Sequence, residues 1–299
     1  MKVVLAGGSG TLGRRIADHL RAKNHEIVVL TRNNAMHGPD RYAVWDGSSV
    51  GAWANELSGA AVINLAGLLV DRRPTAKNID LLTRSRVEPT RALVHAAARI
   101  DEPVVAWIQM STLAIYGDRG DEILDEHSRP ADGPPQMAGV ARAWEAAAAG
   151  AATQRRVVLR TGIVFDRDTP ALNRLSGLVR WGLGGRVGSG RQWVSWLHID
   201  DFLAVVCLAL DDPSMSGIVH ATTPEPVRNV ELMATLRSVL HRPWSPPTPA
   251  ALVHAGAPVL RTDPALALSG RRCIPARLSE RDFPFAHPTL KPALADLLA

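Results

Sequence analysis

The 299-residue sequence contains only two cysteines, Cys207 and Cys273, and no cysteine–histidine spacing typical of a zinc site. Two cysteines cannot build the disulfide framework of a small secreted protein, so we expect a cytoplasmic setting and no bound metal. Cys207 lies in the apolar run 202–210, which predicts a packed core residue.

Long apolar runs are also missing. No run approaches the roughly 18 residues that a membrane-spanning helix requires, and the first apolar stretch ends at Ala6, which is too short for a signal peptide. We therefore expect no membrane partner. The length accommodates one large domain or two lobes with a sizeable core.

Lysine is scarce, so the net charge of +5 and the sequence pI of about 9.7 come mainly from arginine. The arginines are dispersed along the chain rather than clustered, which does not indicate a nucleic-acid partner. An anionic small-molecule ligand would suit this charge, and a basic solvated surface would explain it equally well.

Glycine is concentrated where the first predicted strand ends, at Gly7, Gly10 and Gly13. One glycine lets the chain reverse, a second lets the backbone approach a phosphate, and a third lets the following helix pack closely on the strand. A pyrophosphate would then sit on the free amides at the helix N-terminus. The predicted phosphate-binding residues are Gly7, Ser9, Gly10, Thr11, Leu12 and Gly13.

Predicted strands and helices alternate along the chain. The strands are residues 1–6, 26–31, 43–45, 60–65, 104–110, 156–160 and 218–221, and the helices include 79–98, 137–151 and 200–210, with Asn229 predicted to cap a later one. The alternation predicts an α/β fold with a doubly wound parallel sheet. We expect residues 1–170, with 200–228 returning, to form a Rossmann domain, and residues 171–199 and 229–299 to form a smaller, mainly C-terminal substrate lobe.

The second predicted strand ends in Thr31-Arg32, where an NAD-binding protein usually carries Asp or Glu for the ribose hydroxyls. A carboxylate would repel a 2′-phosphate, whereas Arg32 would bind it in a forked, charge-assisted pair. Such a bond contributes about 1.5–3 kcal/mol, so NADP(H) is the predicted cofactor. Asp46, after the third strand, is placed to meet the adenine or to form a turn.

Twelve motifs occur in order along nearly the whole chain: Gly7–Gly13, Thr31-Arg32, Trp45-Asp46, Ile63–Gly67, Ser85-Arg86, Tyr116-Gly117, Trp144-Glu145, Arg160–Ile163, Gly182–Gly185, Gly188–Trp193, Trp196–Asp200 and Ala221–Asn229. Because it carries these motifs in this order, the chain resembles the extended short-chain dehydrogenase/reductases. Within them it is most similar to the epimerase family, whose relatives include nucleoside-diphosphate-sugar epimerases. The sequence differs from the family pattern at two positions near the expected pocket. Leu68 stands where the family usually has Glu, and Ile115 stands before Tyr116 where the family often has a second tyrosine.

The resemblance implies two sets of ligand contacts. It places Asn64, Leu65, Ala66 and Gly67 along the cofactor, with Arg86 helping to hold it. It places Arg191, Trp193 and His198 near the substrate lobe, and it allows a homodimer without assigning an interface.

The resemblance also identifies a missing catalytic pair. Ordinary members of the superfamily use Tyr-x-x-x-Lys, in which the lysine lowers the tyrosine pKa for proton transfer. Alignment on Trp144-Glu145 places Met137 and Ala141 at those two positions, and neither of the two tyrosines precedes a lysine at this spacing.

The remaining candidate catalytic residues are Ser111, Thr112, Tyr116 and His198. Thr112 matches the hydroxyl that bonds the substrate oxygen, and Tyr116 is a candidate pocket wall or acid. His198 has the pKa range of an acid/base, but it could equally be a structural hydrogen-bonding residue before the helix at Asp200.

The glycine-rich loop 180–191 lies between tryptophans and carries Arg186 and Arg191. Such a loop could fold over a nucleotide-sugar, or its tryptophans could pack the junction of the two lobes. The sequence therefore leaves two functional hypotheses. One is an NADP(H)-dependent oxidoreductase or epimerase-like enzyme acting on an unidentified small molecule; the other is an NADP(H)-binding sensor with little catalysis.

Overall fold

The computed structural model describes residues 1–33 and 38–299. The strands within these ranges are β1 Lys2–Ala6, β2 Glu26–Thr31, β3 Arg41–Val44, β4 Ala61–Asn64, β5 Ala106–Thr112, β6 Ile123–Leu124, β7 Arg156–Thr161, β8 Ile163–Phe165, β9 Trp193–Val194, β10 Trp196–His198, β11 Gly217–Ala221, β12 Val227–Arg228 and β13 Arg272–Cys273. The helices are α1 Thr11–Ala22, α2 Ala76–Ala97, α3 Val140–Ala147, α4 Pro170–Arg180, α5 Ile199–Asp211, α6 Asn229–Val239, α7 Ala250–Leu260, α8 Ala265–Leu268, α9 Ala276–Ser279 and α10 Leu290–Leu298.

Seven of these strands form one parallel sheet in the order β11-β7-β5-β4-β1-β2-β3. The predicted doubly wound α/β fold is therefore confirmed. The strand order reverses between β1 and β4, which creates a crevice at their carboxyl ends, where ligands bind in such folds. Ala6 lies opposite Asn64 in this register, so the ends of β1 and β4 meet at the crevice.

The sheet is buried on both faces because successive side chains of each strand alternate between two cores. In β1, Val3 and Leu5 pack in the core that includes α1 and α5. Val4 and Ala6 pack in the opposite core with residues of α2. Cys207, on α5, lies in the first core, as predicted.

Three two-stranded sheets extend from the main sheet: β8 with β10, β9 with β12, and β6 with β13. The C-terminal residues contact α5, because the Asp201 carboxylate accepts hydrogen bonds from the amides of Ala286 and His287 at 2.7 and 3.0 Å. Helix α10 packs on α6. The predicted division into a Rossmann domain and a substrate lobe stays a prediction.

The cap predicted for α6 is wrong. Asn229 is the first residue of this helix, and its side-chain oxygen accepts a hydrogen bond from the Val187 amide at 2.8 Å instead. This long-range bond ties α6 to the glycine-rich loop. Among the described helices, none combines the length and apolar character needed to cross a membrane.

Candidate dinucleotide site and adjoining polar cluster

The turn after β1 requires its glycines. Gly7 has a φ of +82°, and a Cβ there would lie 2.9 Å from the Leu65 and Ala66 backbone. A Cβ on Gly13 would lie 2.5 Å from the Gly8 Cα, so this glycine lets α1 press onto the turn. The Gly10 amide donates to the Gly7 carbonyl at 3.2 Å and closes the turn.

The N-terminus of α1 suits an anion. Its N-cap, Gly10, supplies no side-chain hydrogen bond, and the first turn carries no acidic residue. The first amides of a helix have no intrahelical partner, so those that begin at Thr11 are free to bind a phosphate. Ser9 and Gly10 are exposed beside them, and Leu12 and Thr11 are half-buried. This arrangement fits the pyrophosphate of a dinucleotide.

Thr31 is the last residue of β2, and Arg32 follows it. Thr31 is buried, and its hydroxyl accepts a hydrogen bond from the Asn33 amide at 3.1 Å. Arg32 is exposed and forms no ion pair with the described residues. Its charge is therefore available to an anionic group at the edge of the crevice.

Asp46 forms a turn. Its carboxylate accepts hydrogen bonds from the amides of Ser48 and Ser49 at 2.7 and 2.8 Å, and from the Ser49 hydroxyl at 2.5 Å. These bonds hold the pKa of the Asp46 carboxyl well below its usual range. Asp46 therefore forms a turn, which was one of its two predicted roles. Its contact with the adenine stays a prediction.

Asn64 positions the segment that lines the crevice. It has no exposed surface; its amide donates to Thr90 at 2.8 Å and to Gln109 at 3.0 Å. Its side-chain oxygen accepts from the Ala66 amide at 3.1 Å. Because these bonds use the carboxamide internally, Asn64 would shape the cofactor site through the backbone of residues 65–67.

Arg86 lies directly behind this segment. A Cβ on Gly67 would lie 2.9 Å from the Arg86 side chain, so a larger residue there would have to displace that side chain. The guanidinium donates to the carbonyls of Leu68 and Leu82 at 2.8 and 3.2 Å and lies over the Trp144 ring. Burial lowers the Arg86 pKa to about 10, which leaves it charged at neutral pH. It has no carboxylate partner among the described residues, which suits an anionic ligand.

A buried hydrogen-bonded cluster occupies the ends of β5 and β7. The Ser111 hydroxyl donates to the Glu145 carboxylate at 2.5 Å. Arg160 donates to both oxygens of the same carboxylate, at 2.9 and 2.8 Å, in a bidentate pair. Because the Ser111 hydroxyl donates its only proton to Glu145, its oxygen can form a further hydrogen bond only as an acceptor.

Thr112 complements Ser111. Its side-chain oxygen accepts from the Ala114 amide at 3.1 Å, at the start of the short 3₁₀ turn Leu113–Tyr116. Thr112 is half-buried, and its hydroxyl donates to no acceptor among the described residues, so its proton can be offered to a ligand. The end of β5 therefore carries these two hydroxyls on successive residues, whose side chains point to opposite faces of the extended strand.

Tyr116 is fully buried behind this pair. Its hydroxyl accepts from Arg160 at 2.7 Å and lies 2.6 Å from Nε2 of His220. His220 Nδ1 lies 2.9 Å from the Ile274 carbonyl, so Nδ1 carries the proton and Nε2 accepts from the tyrosine. Burial raises the Tyr116 pKa to about 12 and lowers the His220 pKa to about 4. Tyr116 thus presents no surface to a substrate in this conformation.

His198 caps α5: its Nδ1 accepts from the Asp200 amide at 3.1 Å. His198, Asp200 and His287 bring potential metal-binding atoms within 4.8 Å of one another. The two imidazoles are stacked, however, with centroids 3.7 Å apart and planes 27° apart, so their lone pairs do not converge. The geometry matches the structural alternative for His198 rather than an acid/base or a metal ligand.

Arg191 and Trp193 lie in a separate charged cluster. The Asp121 carboxylate accepts from the Trp193 indole at 2.8 Å and from Arg228 at 2.7 Å, with Arg191 3.9 Å away. Arg228 and Arg272 lie over the Trp193 ring. A cavity of about 210 Å³ opens among Asp121, Arg191 and Arg228. A larger groove, of about 550 Å³, runs between α2 and α3, away from the strand ends.

Three residues of these clusters had no role in the sequence-based interpretation: Glu145 and Arg160, which appear there only as parts of motifs, and His220. A fourth, Gln136, is buried in a π-helical turn, Pro135–Gly139, next to the position of the missing tyrosine. Its amide donates to the Arg72 carbonyl at 2.7 Å, and its side-chain oxygen has no partner among the described residues. The π turn, which often marks a functional site, gives no sequence signal.

The fold and this site define a dinucleotide-binding α/β protein. A sequence profile of the NAD dependent epimerase/dehydratase family matches residues 3–220, and the chain belongs to that family. A second profile, for a domain of unknown function (DUF1731), matches residues 248–297. The predicted family resemblance is therefore confirmed.

Similar proteins span the whole chain. The epimerase family protein SDR39U1 homolog, chloroplastic, of Arabidopsis thaliana is 33% identical over 311 residues, which covers 100% of this chain and 87% of the relative. Human epimerase family protein SDR39U1 is 31% identical over 304 residues and is covered completely.

Two solved structures are similar at comparable identity. The crystal structure of human SDR39U1 (isoform 2) with NADPH has a TM-score of 0.87 at 30% identity, with 99% of each chain covered. A nucleoside-diphosphate sugar epimerase from Corynebacterium glutamicum has a TM-score of 0.81 at 29% identity; the match covers 100% of this chain and 58% of that one. NADPH, bound by the human protein, is the cofactor that Thr31-Arg32 predicts here.

Proposed function

We propose that this protein is an NADP(H)-dependent oxidoreductase or epimerase-like enzyme that acts on a small molecule at the ends of β4 and β5. The observation that carries the proposal is a phosphate-binding turn after β1 together with the partly exposed Thr112 hydroxyl at the end of β5, which lies two strands away in the sheet. The human relative solved with NADPH supports the choice of cofactor.

The cofactor would be held by the turn amides and α1, by Arg32 at its 2′-phosphate and by Arg86 behind residues 65–67. When bound, it supplies hydride transfer. The chain's own contribution is orientation. Thr112 would donate a hydrogen bond to a substrate oxygen, and Ser111, buried and bonded to Glu145, would hold the end of β5 in place. A donor of this kind matches a carbonyl or hydroxyl oxygen.

Arg191 and Trp193 would contact the more distant part of the substrate. The cavity beside them is lined by Arg191 and Arg228, whose guanidinium groups would bind a phosphate. The sugar-nucleotide name of the Corynebacterium relative favours a nucleotide-sugar as the first substrate to test. Tyr116 and His198 have no direct role in this proposal because their side chains are buried and bonded within the protein.

The test is a screen of carbonyls, enones and nucleotide-sugars against the NADPH-loaded protein, followed through cofactor oxidation or product formation. We expect turnover that falls about 10²–10³-fold in Thr112→Val, because one donor to the substrate oxygen is lost, with NADPH affinity unchanged. Thr153→Val is the matched control, since Thr153 lies at the amino end of the sheet. Absence of any turnover by the wild-type protein would overturn the proposal.

The second candidate is an NADP(H)-binding sensor, which Met137 and Ala141 favour because they replace the usual proton-transfer pair. This hypothesis predicts tight cofactor binding that changes association with a protein partner. Pull-downs in the presence and absence of NADPH distinguish it from the enzyme: identical captured proteins in both would count against the sensor.

A further inference from the structure

Acidic residues are absent from two long segments of the chain. Residues 169–199 and 232–262 contain no Asp or Glu, and together they carry seven arginines: Arg174, Arg180, Arg186, Arg191, Arg237, Arg242 and Arg261. The fold joins the two segments, because the Thr248 amide donates to the Arg186 carbonyl at 2.9 Å and the Gly188 amide donates to the Thr248 carbonyl at 2.8 Å. We call their shared exposed surface, residues 178–186 and 242–261, the acid-free face.

The acid-free face exposes large apolar side chains. Trp181 is 85% exposed, Trp244 75%, Val259 82% and Leu252 62%. The last two belong to α7, in which Ala257 is buried and the other described side chains are exposed or half-buried. Soluble surfaces rarely gather tryptophans and an apolar helix in this way, and such patches mark interaction sites.

The charged groups of this face are all positive. Arg180, Arg186, Arg242 and Arg261 are exposed, and none of them forms an ion pair within residues 1–33 and 38–299. The carboxylate at one border, Asp71, is paired with Arg174, which leaves little negative charge to offset them. Glu231 lies at another border, in the first turn of α6.

We propose that the acid-free face docks on an anionic lipid surface. Tryptophans and arginines are favoured at the membrane–water interface, and an apolar helix flanked by basic residues lies in its plane. Each basic residue near an anionic bilayer raises binding about fivefold. A second copy of the chain would place arginines against arginines, and a nucleic acid would leave Leu252 and Val259 without suitable contacts.

The docking is peripheral, because α7, at 11 residues, is far shorter than the roughly 20 residues of a spanning helix. Peripheral docking does not require the long apolar runs that a membrane-spanning helix needs. The absence of such runs was the reason to expect no membrane partner. The residues involved are dispersed along the chain, and only the fold brings them together.

The experiment is cosedimentation of the full-length protein with vesicles of phosphatidylcholine alone or of equal parts phosphatidylcholine and phosphatidylglycerol. We expect binding to the anionic vesicles, with a blue shift of tryptophan fluorescence and a steep loss of binding as salt is raised. The double variant Trp181→Ala/Trp244→Ala should weaken binding at least about tenfold. The variant Arg180→Gln/Arg242→Gln should weaken it by a similar factor and flatten its salt dependence.

Arg91→Gln/Arg99→Gln is the matched control, because these arginines are exposed elsewhere on the protein. Equal recovery with both vesicle types, no recovery with either, or unchanged binding by the tryptophan variant would overturn the proposal. It would also be overturned if the face bound single-stranded DNA in place of vesicles, or if the tryptophan variant abolished a concentration-dependent dimer.

Discussion

Individual side chains near the strand ends divide into those that can reach a ligand and those that hold the site together. Thr112, which is half-buried, belongs to the first group. Ser111, buried and bonded to Glu145, and Tyr116, fully buried between Arg160 and His220, belong to the second. The sequence could show that Tyr-x-x-x-Lys is absent, since that is a matter of spacing. It could not show that Ser111 bonds to Glu145, which is 34 residues away and is brought close only by the fold.

Tyr116→Phe tests this division. Removing the hydroxyl leaves Nη1 of Arg160 and Nε2 of His220 without the buried partner they share, so the free energy of unfolding should fall by about 1–3 kcal/mol. Chemical denaturation measures the loss, and NADPH affinity should stay unchanged. Tyr42→Phe, at the other tyrosine, is the control and should alter stability by no more than about 0.5 kcal/mol. Lost turnover in Tyr116→Phe at full stability would instead give this hydroxyl a catalytic role.

Among the elements, the strand–turn–helix unit at the start of the chain was the most predictable. Its signals are local: an apolar run, three spaced glycines, and Leu12, Ile16 and Leu20 at every fourth position after them. The structure places β1 at Lys2–Ala6 and α1 at Thr11–Ala22 accordingly. The pair formed by β8 and β10 was not predicted, because its strands lie some thirty residues apart and are only three residues long. Short, distant pairings carry no periodic signal.

Gly7→Ala tests what the turn requires. A Cβ there would meet the backbone of residues 65–66 at a φ of +82°, so we expect a loss of at least about 1–2 kcal/mol in stability together with weaker NADPH binding. Thermal unfolding and calorimetric titration measure the two effects. Gly177→Ala in α4 is the control: a Cβ there meets nothing within 4 Å, and the change should stabilise the helix by about 0.5–1 kcal/mol. Equal behaviour of the two variants would contradict this account of the turn.

At the scale of the whole molecule, buried histidines connect the sheet to the C-terminal segment. His220 on β11 bonds to the Ile274 carbonyl, and His198 stacks on His287. Burial lowers the pKa of both His220 and His198. Sequence could not predict these contacts or the acid-free face, because both depend on how segments far apart in the chain come to lie together.

The lowered pKa values predict that acid destabilises the fold. The pKa of His220 is about 4 in the folded protein and near 6.5 when unfolded, so the unfolded chain binds the proton first as pH falls. Stability should therefore be full above about pH 6.5 and decline toward pH 4, with about 2 kcal/mol lost to His220 by about pH 5. Urea unfolding across this range measures the loss.

His220→Gln should flatten this dependence, although it lowers stability at neutral pH, and His95→Gln, at an exposed histidine of α2, should not. An unchanged pH profile in His220→Gln would mean that other groups control the acid limit.

The central claim is that the glycine turn, with Arg32 at its edge, holds NADP(H). The most direct measurement is the pair of dissociation constants for NADPH and NADH, determined by calorimetry for the wild-type protein, Arg32→Ala and, as a control, Arg91→Ala. We predict that Arg32→Ala weakens NADPH binding about ten- to a hundredfold, the equivalent of about 1.5–3 kcal/mol, and leaves NADH binding unchanged, because only NADPH carries the 2′-phosphate. Unchanged NADPH binding in Arg32→Ala, or an equal loss for both cofactors, would contradict the claim.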